Sequence, residues 1–224
     1  MEGGDLVTMQ LAPSILSFDP ANFLAPVQEV ATSGLADWIH LDVMDGQFVP
    51  PITFGAELAK SLTSQISLPV EAHLMTLTPE LHFEAFCQAG CRRIIFHVET
   101  TAHTHRLIQE LKSYGTEVGV ALNPATPLAM IEPIEEMLDI LLIMTVNPGW
   151  GGQALIPACV QKVREARERW PGLPIEVDGG VDPATLPALR KAGANVFVVG
   201  SYLTRTPSIQ EGLRQVREAG EVVT

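Results

Sequence analysis

From residue 9 to residue 201 the chain alternates short apolar runs with longer stretches of helical period, and this alternation limits the fold more than any other feature. The runs are "MQLAPSILS", "DWIHLDVM", "PVEAHLM", "RRIIFHVE", "EVGVALN", "ILLIMTV", "PIEVDG" and "NVFVVGS". Between them lie amphipathic stretches such as "ANFLAPVQEVATSG", "THRLIQELKSYG" and "PACVQKVREARERW", several of which start at Pro, Thr or Asp and stop at Gly. Strands that alternate with helices build a parallel sheet with right-handed crossovers. Eight such units in 224 residues suit a single (β/α)8 TIM barrel, an α/β fold. An open doubly wound sheet is the rival. Against it, no G-x-G-x-x-G follows the first strand, and the polar residues are spread over many strand ends. No linker, charge block or low-complexity segment divides the chain, so residues 1–224 read as one domain, with residues 1–8 as a flexible N-terminal extension.

The second run interrupts its apolar character with His40 and Asp42. A buried charge without a partner is costly, so such residues are paired, metal-bound or catalytic. Side chains alternate faces along a strand. His40, Asp42 and Met44 therefore share one face, opposite Ile39, Leu41 and Val43. The third run sets Glu71, His73 and Met75 against Val70, Ala72 and Leu74, and the seventh sets Glu176 and Asp178 against Ile175 and Val177. Three strands thus aim polar groups at the barrel axis near their C-terminal ends, where barrel active sites lie.

For a lone His the ordinary reading is a hydrogen-bonded core residue. His40, Asp42, His73 and Asp178 together make a set of two imidazoles and two carboxylates, suited to Zn, Fe(II), Mn or Co. Glu71 and Glu176, two residues earlier, read as structural groups hydrogen-bonded in a lower layer. His97 and Glu99 are open between support of the metal set and a merely local pair. Asp45, heading a turn with Gly46, is explained as well by turn geometry as by chemistry.

Glycines form a second constellation: "NPGWGGQ" (147–153), "DGG" (178–180) and "VGS" (199–201) follow three consecutive strands. Such loops can turn backbone N–H groups toward one anion. The formal charge of −12 argues against nucleic acid or anionic membrane as a partner, and it means that an anionic substrate must be attracted locally. No Lys or Arg lies in the three loops, so neutral amides are left to do this. Three cysteines with no C-x-x-C pair form no closed disulfide framework, and no run has the length of a membrane span. With no signal peptide at the start, the expected location is the cytoplasm. The expected partners are a small-molecule substrate and further copies of the chain.

"APSILS", "HLDVMDGQFVPPITFG", "EAHLM", "FHVE", "ALNPATP", "MTVNPGWGGQ", "IEVDGG" and "VVGS" resemble, in order and spacing, the blocks of the D-ribulose-5-phosphate 3-epimerases, from Ala12 to about Ser201. The resemblance implies a metal-dependent (β/α)8 barrel of the pentose phosphate pathway that interconverts D-ribulose 5-phosphate and D-xylulose 5-phosphate. It implies one divalent metal ion on His40, Asp42, His73 and Asp178, with Asp42 and Asp178 as the acid/base pair. Ser14 and His73 would contact the substrate, and the phosphate would fall to Gly149, Trp150, Gly151, Gly152, Gly179, Gly180, Gly200 and Ser201. Met44, Met75 and Met144 would floor the pocket. The chain departs from the usual blocks at Gln47, Pro51, Trp150, Ala154 and Leu155, all in loops over the pocket and none among the four metal residues.

Inverting a carbon beside a ketone takes a proton from one face and returns one to the other, through an enediolate. Two groups on opposite sides of the sugar are therefore wanted. A sister epimerase acting on a longer sugar such as D-allulose 6-phosphate is the nearest alternative. A non-catalytic sugar-phosphate sensor would be expected to lack at least one of the four residues, and all are present.

Overall fold

The computed structural model describes residues 8–221, so the expected N-terminal extension falls, apart from Thr8, outside the described residues. Eight strands run in parallel: β1 (Gln10–Pro13), β2 (Ile39–Met44), β3 (Val70–Met75), β4 (Arg93–His97), β5 (Glu117–Leu122), β6 (Ile140–Met144), β7 (Ile175–Asp178) and β8 (Val196–Val199). They hydrogen-bond in the order β1-β8-β7-β6-β5-β4-β3-β2. The ring closes between β1 and β2 through a bridge from Ser14 to His40 and through the Leu11 carbonyl, which accepts from the amides of Asp37 and Trp38. The expected (β/α)8 barrel is the observed architecture.

Among the described residues seven α-helices pack outside: α1 (Leu24–Thr32), α2 (Ala56–Thr63), α3 (Phe83–Gln88), α4 (Thr104–Ser113), α5 (Pro157–Arg169), α6 (Leu186–Ala192) and α7 (Ile209–Glu221). Eight strand–helix units were expected from the sequence, and the β5–β6 crossover departs from that count. It carries two 3-10 turns, Leu128–Met130 and Glu135–Met137, in place of an α-helix. Pro127 and Pro133 leave only five residues between them, and each proline lacks the N–H that an α-helix interior needs. Among the described residues no helix is long and apolar enough to cross a membrane.

Both faces of each strand are covered, which is why the strands read as nearly continuous apolar runs. Ile39, Leu41 and Val43 of β2, with Val70, Ala72 and Leu74 of β3, join the core between barrel and helices. A second core fills the barrel itself on the β5–β8 side, with Ala121, Leu142, Met144, Val196 and Val198. The polar interior residues come from β2, β3, β4 and β7, and the site is built on them. The seam between β1 and β2 is clamped from outside. Arg217 of α7 donates to Asp37 Oδ2 at 2.5 Å, to the Leu35 carbonyl at 2.8 Å and to the Met9 carbonyl at 3.1 Å. Asp37 Oδ2 in turn accepts from the Leu11 amide at 2.8 Å.

Gly119 of β5 shows how tightly the interior is filled. A Cβ added there would sit 2.7 Å from Ile140 Cγ2 and 2.8 Å from Ile95 Cγ1. Gly119→Val should lower the unfolding free energy by about 1–3 kcal/mol through overpacking, read as a fall in the urea midpoint at unchanged slope.

Candidate active site

The alternation of β2, β3 and β7 brings His40, Asp42, His73 and Asp178 together at the C-terminal end of the barrel, each offering one donor atom within 4.8 Å of the others. His40 Nε2 lies 3.4 Å from Asp42 Oδ1 and 3.4 Å from His73 Nδ1. His73 Nδ1 lies 3.5 Å from Asp42 Oδ1 and 3.8 Å from Asp178 Oδ2. Ligands held at about 2.0–2.1 Å around a tetrahedral centre stand about 3.3–3.4 Å apart, so these separations and this donor set fit a divalent metal.

The electrostatics agree that the cluster seeks positive charge. Burial alone would lower the His40 pKa, but the carboxyl groups of Asp42, Glu176 and Glu71 around it raise it well above the ordinary imidazole range. Burial, helped by the nearby Asp42 charge, pushes the Asp178 carboxyl up to about 7. Asp42 is the opposite case. Burial works against its charge, yet His40 and His73 hold it well below the usual carboxylate range. Its Oδ2 accepts the Ser14 hydroxyl at 2.5 Å. Two carboxyl groups in one site are thus driven apart in acidity, a pattern that separates an acid from a base.

Each imidazole of the cluster is gripped from behind. Glu71 Oε1 lies 2.8 Å from His40 Nδ1, and Glu71 Oε2 accepts from Arg93 Nη1 at 2.7 Å. Arg93 also donates to Glu117 at 2.9 Å and lies 3.8 Å above the Trp38 ring, so it plugs the lower end of the barrel. Glu176 departs from the expectation of a hydrogen-bonded residue: neither of its buried oxygens has a hydrogen-bond partner. Burial and the adjacent Glu71 push its carboxyl up to about 8, so it keeps its proton at neutral pH. Behind His73 stands His97, with Nε2 atoms 2.9 Å apart, and behind His97 stands Glu99, 3.0 Å from Nδ1.

Above the cluster lies a pocket with ≈ 530 Å³ of empty space, part of it open to solvent. Met44, Met75 and Met144 are buried along its lower wall, and Ser14, Asp42 and Asp178 line it. All three glycine loops reach it, bringing Gly149 to Gly152, Gly179, Gly180, Gly200 and Ser201, and no Lys or Arg does. Among the described residues the N–H groups of Gly151, Gly152, Gly180, Gly200 and Ser201 donate no hydrogen bond. Two of the glycines are sterically required. Gly179 has φ 116° and a Cβ there would meet Val146 Cγ2 at 2.4 Å, while Gly180 has φ 66° and would meet the Leu155 amide at 2.6 Å.

The loop after β2 closes over one side. Asp45 accepts from the amides of Gln47 and Phe48 and, at 2.7 Å, from that of Leu77 beyond β3, which is the turn role open to it. Gln47 is exposed and Trp150 is 58% exposed at the rim. Sequence reasoning missed Ser17, which lines the pocket with its Oγ 3.1 Å from where a Cβ on Gly151 would be. It also missed Arg93, because a strand's first Arg reads as a solvated end until the barrel closes around it.

A sequence profile of the ribulose-phosphate 3 epimerase family matches residues 10–204. A ribulose-phosphate 3-epimerase of Rhodobacter capsulatus is 41% identical over 90% of this chain and 89% of its own length. One of Treponema pallidum is 44% identical over 85% and 89%, and a cytoplasmic isoform from rice is 38% identical over 95% and 94%. Among solved structures, a 3-hexulose-6-phosphate synthase from Salmonella typhimurium superposes with a TM-score of 0.73 at 18% identity, covering 96% of this chain and all of that one. That likeness is one of fold alone.

The ion pair of Arg93 with Glu71 lies in the enclosed barrel, where removing one partner strands the other charge. Arg93→Met should cost about 3–5 kcal/mol of stability, measured by urea unfolding. Arg93→Met with Glu71→Gln should recover most of that loss.

Proposed function

The chain belongs to the ribulose-phosphate 3-epimerase family, an isomerase acting on carbohydrates, and we propose that it interconverts D-ribulose 5-phosphate and D-xylulose 5-phosphate by inverting C3. The observation that carries this reading is the pair Asp42 and Asp178. The two carboxyl groups lie on strands three places apart around the barrel and face one pocket with unlike acidities.

In this reading Asp42, ionised and steadied by the Ser14 hydroxyl, takes the C3 proton from one face of the sugar. Asp178, protonated, delivers a proton to the opposite face, and the reverse reaction exchanges the roles. The enediolate between the two steps is planar at the reacting carbons. The buried thioethers of Met44, Met75 and Met144 offer no acidic hydrogen that could quench it on the wrong face. His40, Asp42, His73 and Asp178 would hold the divalent metal, for which Zn, Fe(II), Mn and Co all suit an imidazole–carboxylate set. When bound, such an ion supplies Lewis acidity that stabilises negative charge developing on the substrate oxygens.

The phosphate falls to the unpaired amides of Gly151, Gly152, Gly180, Gly200 and Ser201. Oriented N–H dipoles hold an anion without the charged side chains that this pocket lacks. A cytoplasmic setting and self-association belong to the same proposal.

A coupled assay on metal-loaded and chelator-stripped protein tests the reading, with D-ribulose 5-phosphate and D-allulose 6-phosphate as substrates. Metal-dependent turnover of the pentose is expected. Activity confined to the hexulose would move the substrate while keeping the chemistry, and silence on both with metal bound would leave a binding protein. Asp178→Asn should keep the fold and retain about one per cent of turnover or less. Ser201→Ala, which keeps the amide and removes only the hydroxyl at the pocket wall, should raise KM by about tenfold or less with kcat kept.

A further inference from the structure

We propose that Glu99 and His97 are positioning residues for the metal, forming a relay that fixes which nitrogen of His73 turns a lone pair toward Asp42 and Asp178. The proposal rests on the metal-holding reading above and concerns two residues outside the ligand set.

The argument runs inward from Glu99. Its Oε1 accepts from the Asn123 amide at 2.7 Å and from the Thr126 hydroxyl at 2.5 Å. Its Oε2 faces His97 Nδ1 at 3.0 Å. An ionised carboxylate has no hydrogen to give, so His97 Nδ1 must carry one. A neutral imidazole with its hydrogen on Nδ1 has a bare Nε2. That bare nitrogen stands 2.9 Å from His73 Nε2 and is satisfied only if His73 carries its own hydrogen there. His73 Nδ1 is then left with a lone pair, 3.5 Å from Asp42 Oδ1 and 3.8 Å from Asp178 Oδ2. That lone pair faces His40 Nε2 at 3.4 Å as well as the two carboxylates, and a free lone pair at this point is what a metal ligand must present.

Both imidazoles are fully buried, so no solvent can stand in for a missing partner. The far end of the relay is anchored as well. Lys162 of α5 donates to the carbonyls of Asn123, Pro124 and Thr126 at 2.9, 2.6 and 2.8 Å, pinning the loop that grips Glu99. His40 is served differently, with Glu71 directly on its Nδ1. His73 is reached by a longer route: β4, which pairs with β3, ends in His97, and that imidazole stands between His73 and Glu99.

Glu99→Gln breaks the logic at one atom. With its oxygen toward Asn123 and Thr126, the amide presents N–H to His97 Nδ1. His97 must then carry its hydrogen on Nε2, and the hydrogen of His73 is driven onto Nδ1, in the metal's place. Turning the amide over sets its N–H against the Asn123 N–H. Partners of this kind behind a ligand imidazole are worth about 10- to 100-fold in metal affinity.

The test is the Zn²⁺ dissociation constant of the full chain, measured by competition with a chromophoric chelator. It compares wild type with Glu99→Gln, His97→Phe, Thr126→Val and Asp178→Asn. His97→Phe removes both ring nitrogens and keeps a ring between Phe48 and His73, so it carries the comparison if Glu99→Gln does not fold. Both are expected to weaken Zn²⁺ about 10- to 100-fold. Thr126→Val, which loosens Glu99 without touching either imidazole, should lower the melting temperature and leave the constant within about twofold. If Glu99→Gln and His97→Phe stay within twofold of wild type, or Thr126→Val weakens Zn²⁺ as much as they do, the relay is overturned and the metal site stands. If wild type binds no tighter than Asp178→Asn, the metal-holding reading fails and takes the relay with it.

Discussion

Enclosing carboxyl groups inside a parallel barrel sets the terms for everything else in this molecule. Asp42, Glu71, Glu176 and Asp178 lie within the ring, and Arg93 is the guanidinium enclosed with them. Leaving such charges uncompensated in a dry interior would cost several kcal/mol each. Arg93 cancels one charge, held by Glu71 and capped by the Trp38 ring. Glu176 removes a second by keeping its proton. Of the remaining two, Asp42 stays ionised while burial raises Asp178 to about 7, and a divalent cation would favour the ionised form of both. The polar lower layer and the cluster above it are therefore one electrostatic problem, and His40 joins the two halves, with Glu71 on one nitrogen and Asp42 near the other.

What the sequence could and could not disclose follows from the same packing. The eight strands were legible because both faces of each are covered, which leaves a continuous apolar run that Gly and Pro punctuate. The four clustered residues were legible because period-two alternation assigns His40 with Asp42, and Glu176 with Asp178, to one face before any neighbour is known. The β5–β6 crossover was not. Its apolar residues are spaced well enough for a helix, and only the position of Pro127 and Pro133 forbids one. The tie from His73 through His97 to Glu99 was also beyond reach. It depends on β3 pairing with β4, on loop residues Asn123 and Thr126, and on the hydrogen each ring carries, none of which a one-dimensional pattern encodes. Glu176 was misjudged for a similar reason. Strand alternation places a carboxyl group inside but cannot say that it will find no donor there.

The phosphate side of the pocket resolves a second tension. A chain of net charge −12 repels an anion at long range. One or two lysines in the pocket would relieve that, yet they would also sit beside Asp42 and Asp178 and compete for the charge on which the cluster depends. Unpaired amides in the three glycine loops avoid the conflict, because a dipole fixed in a turn acts over a short distance and cannot swing onto a carboxylate. The steric demands at Gly179 and Gly180 follow: the loops must press against Val146 and Leu155 to aim their N–H groups, and a Cβ at either position has no room.

The barrel by itself would not have assigned any of this chemistry. The synthase at 18% identity shares its course, with a TM-score of 0.73. Shared course means shared places for inward side chains at the strand ends, and a fold of this kind leaves those places free to vary. In this chain they hold two imidazoles and two carboxyl groups of opposed acidity above a floor of thioethers. That content suits moving a proton across a sugar carbon. It also gives a use to polar groups that stability does not require: Glu71 below the cluster, and His97 and Glu99 at the end of β4, do not meet the pocket, but they decide which atoms of His40 and His73 do.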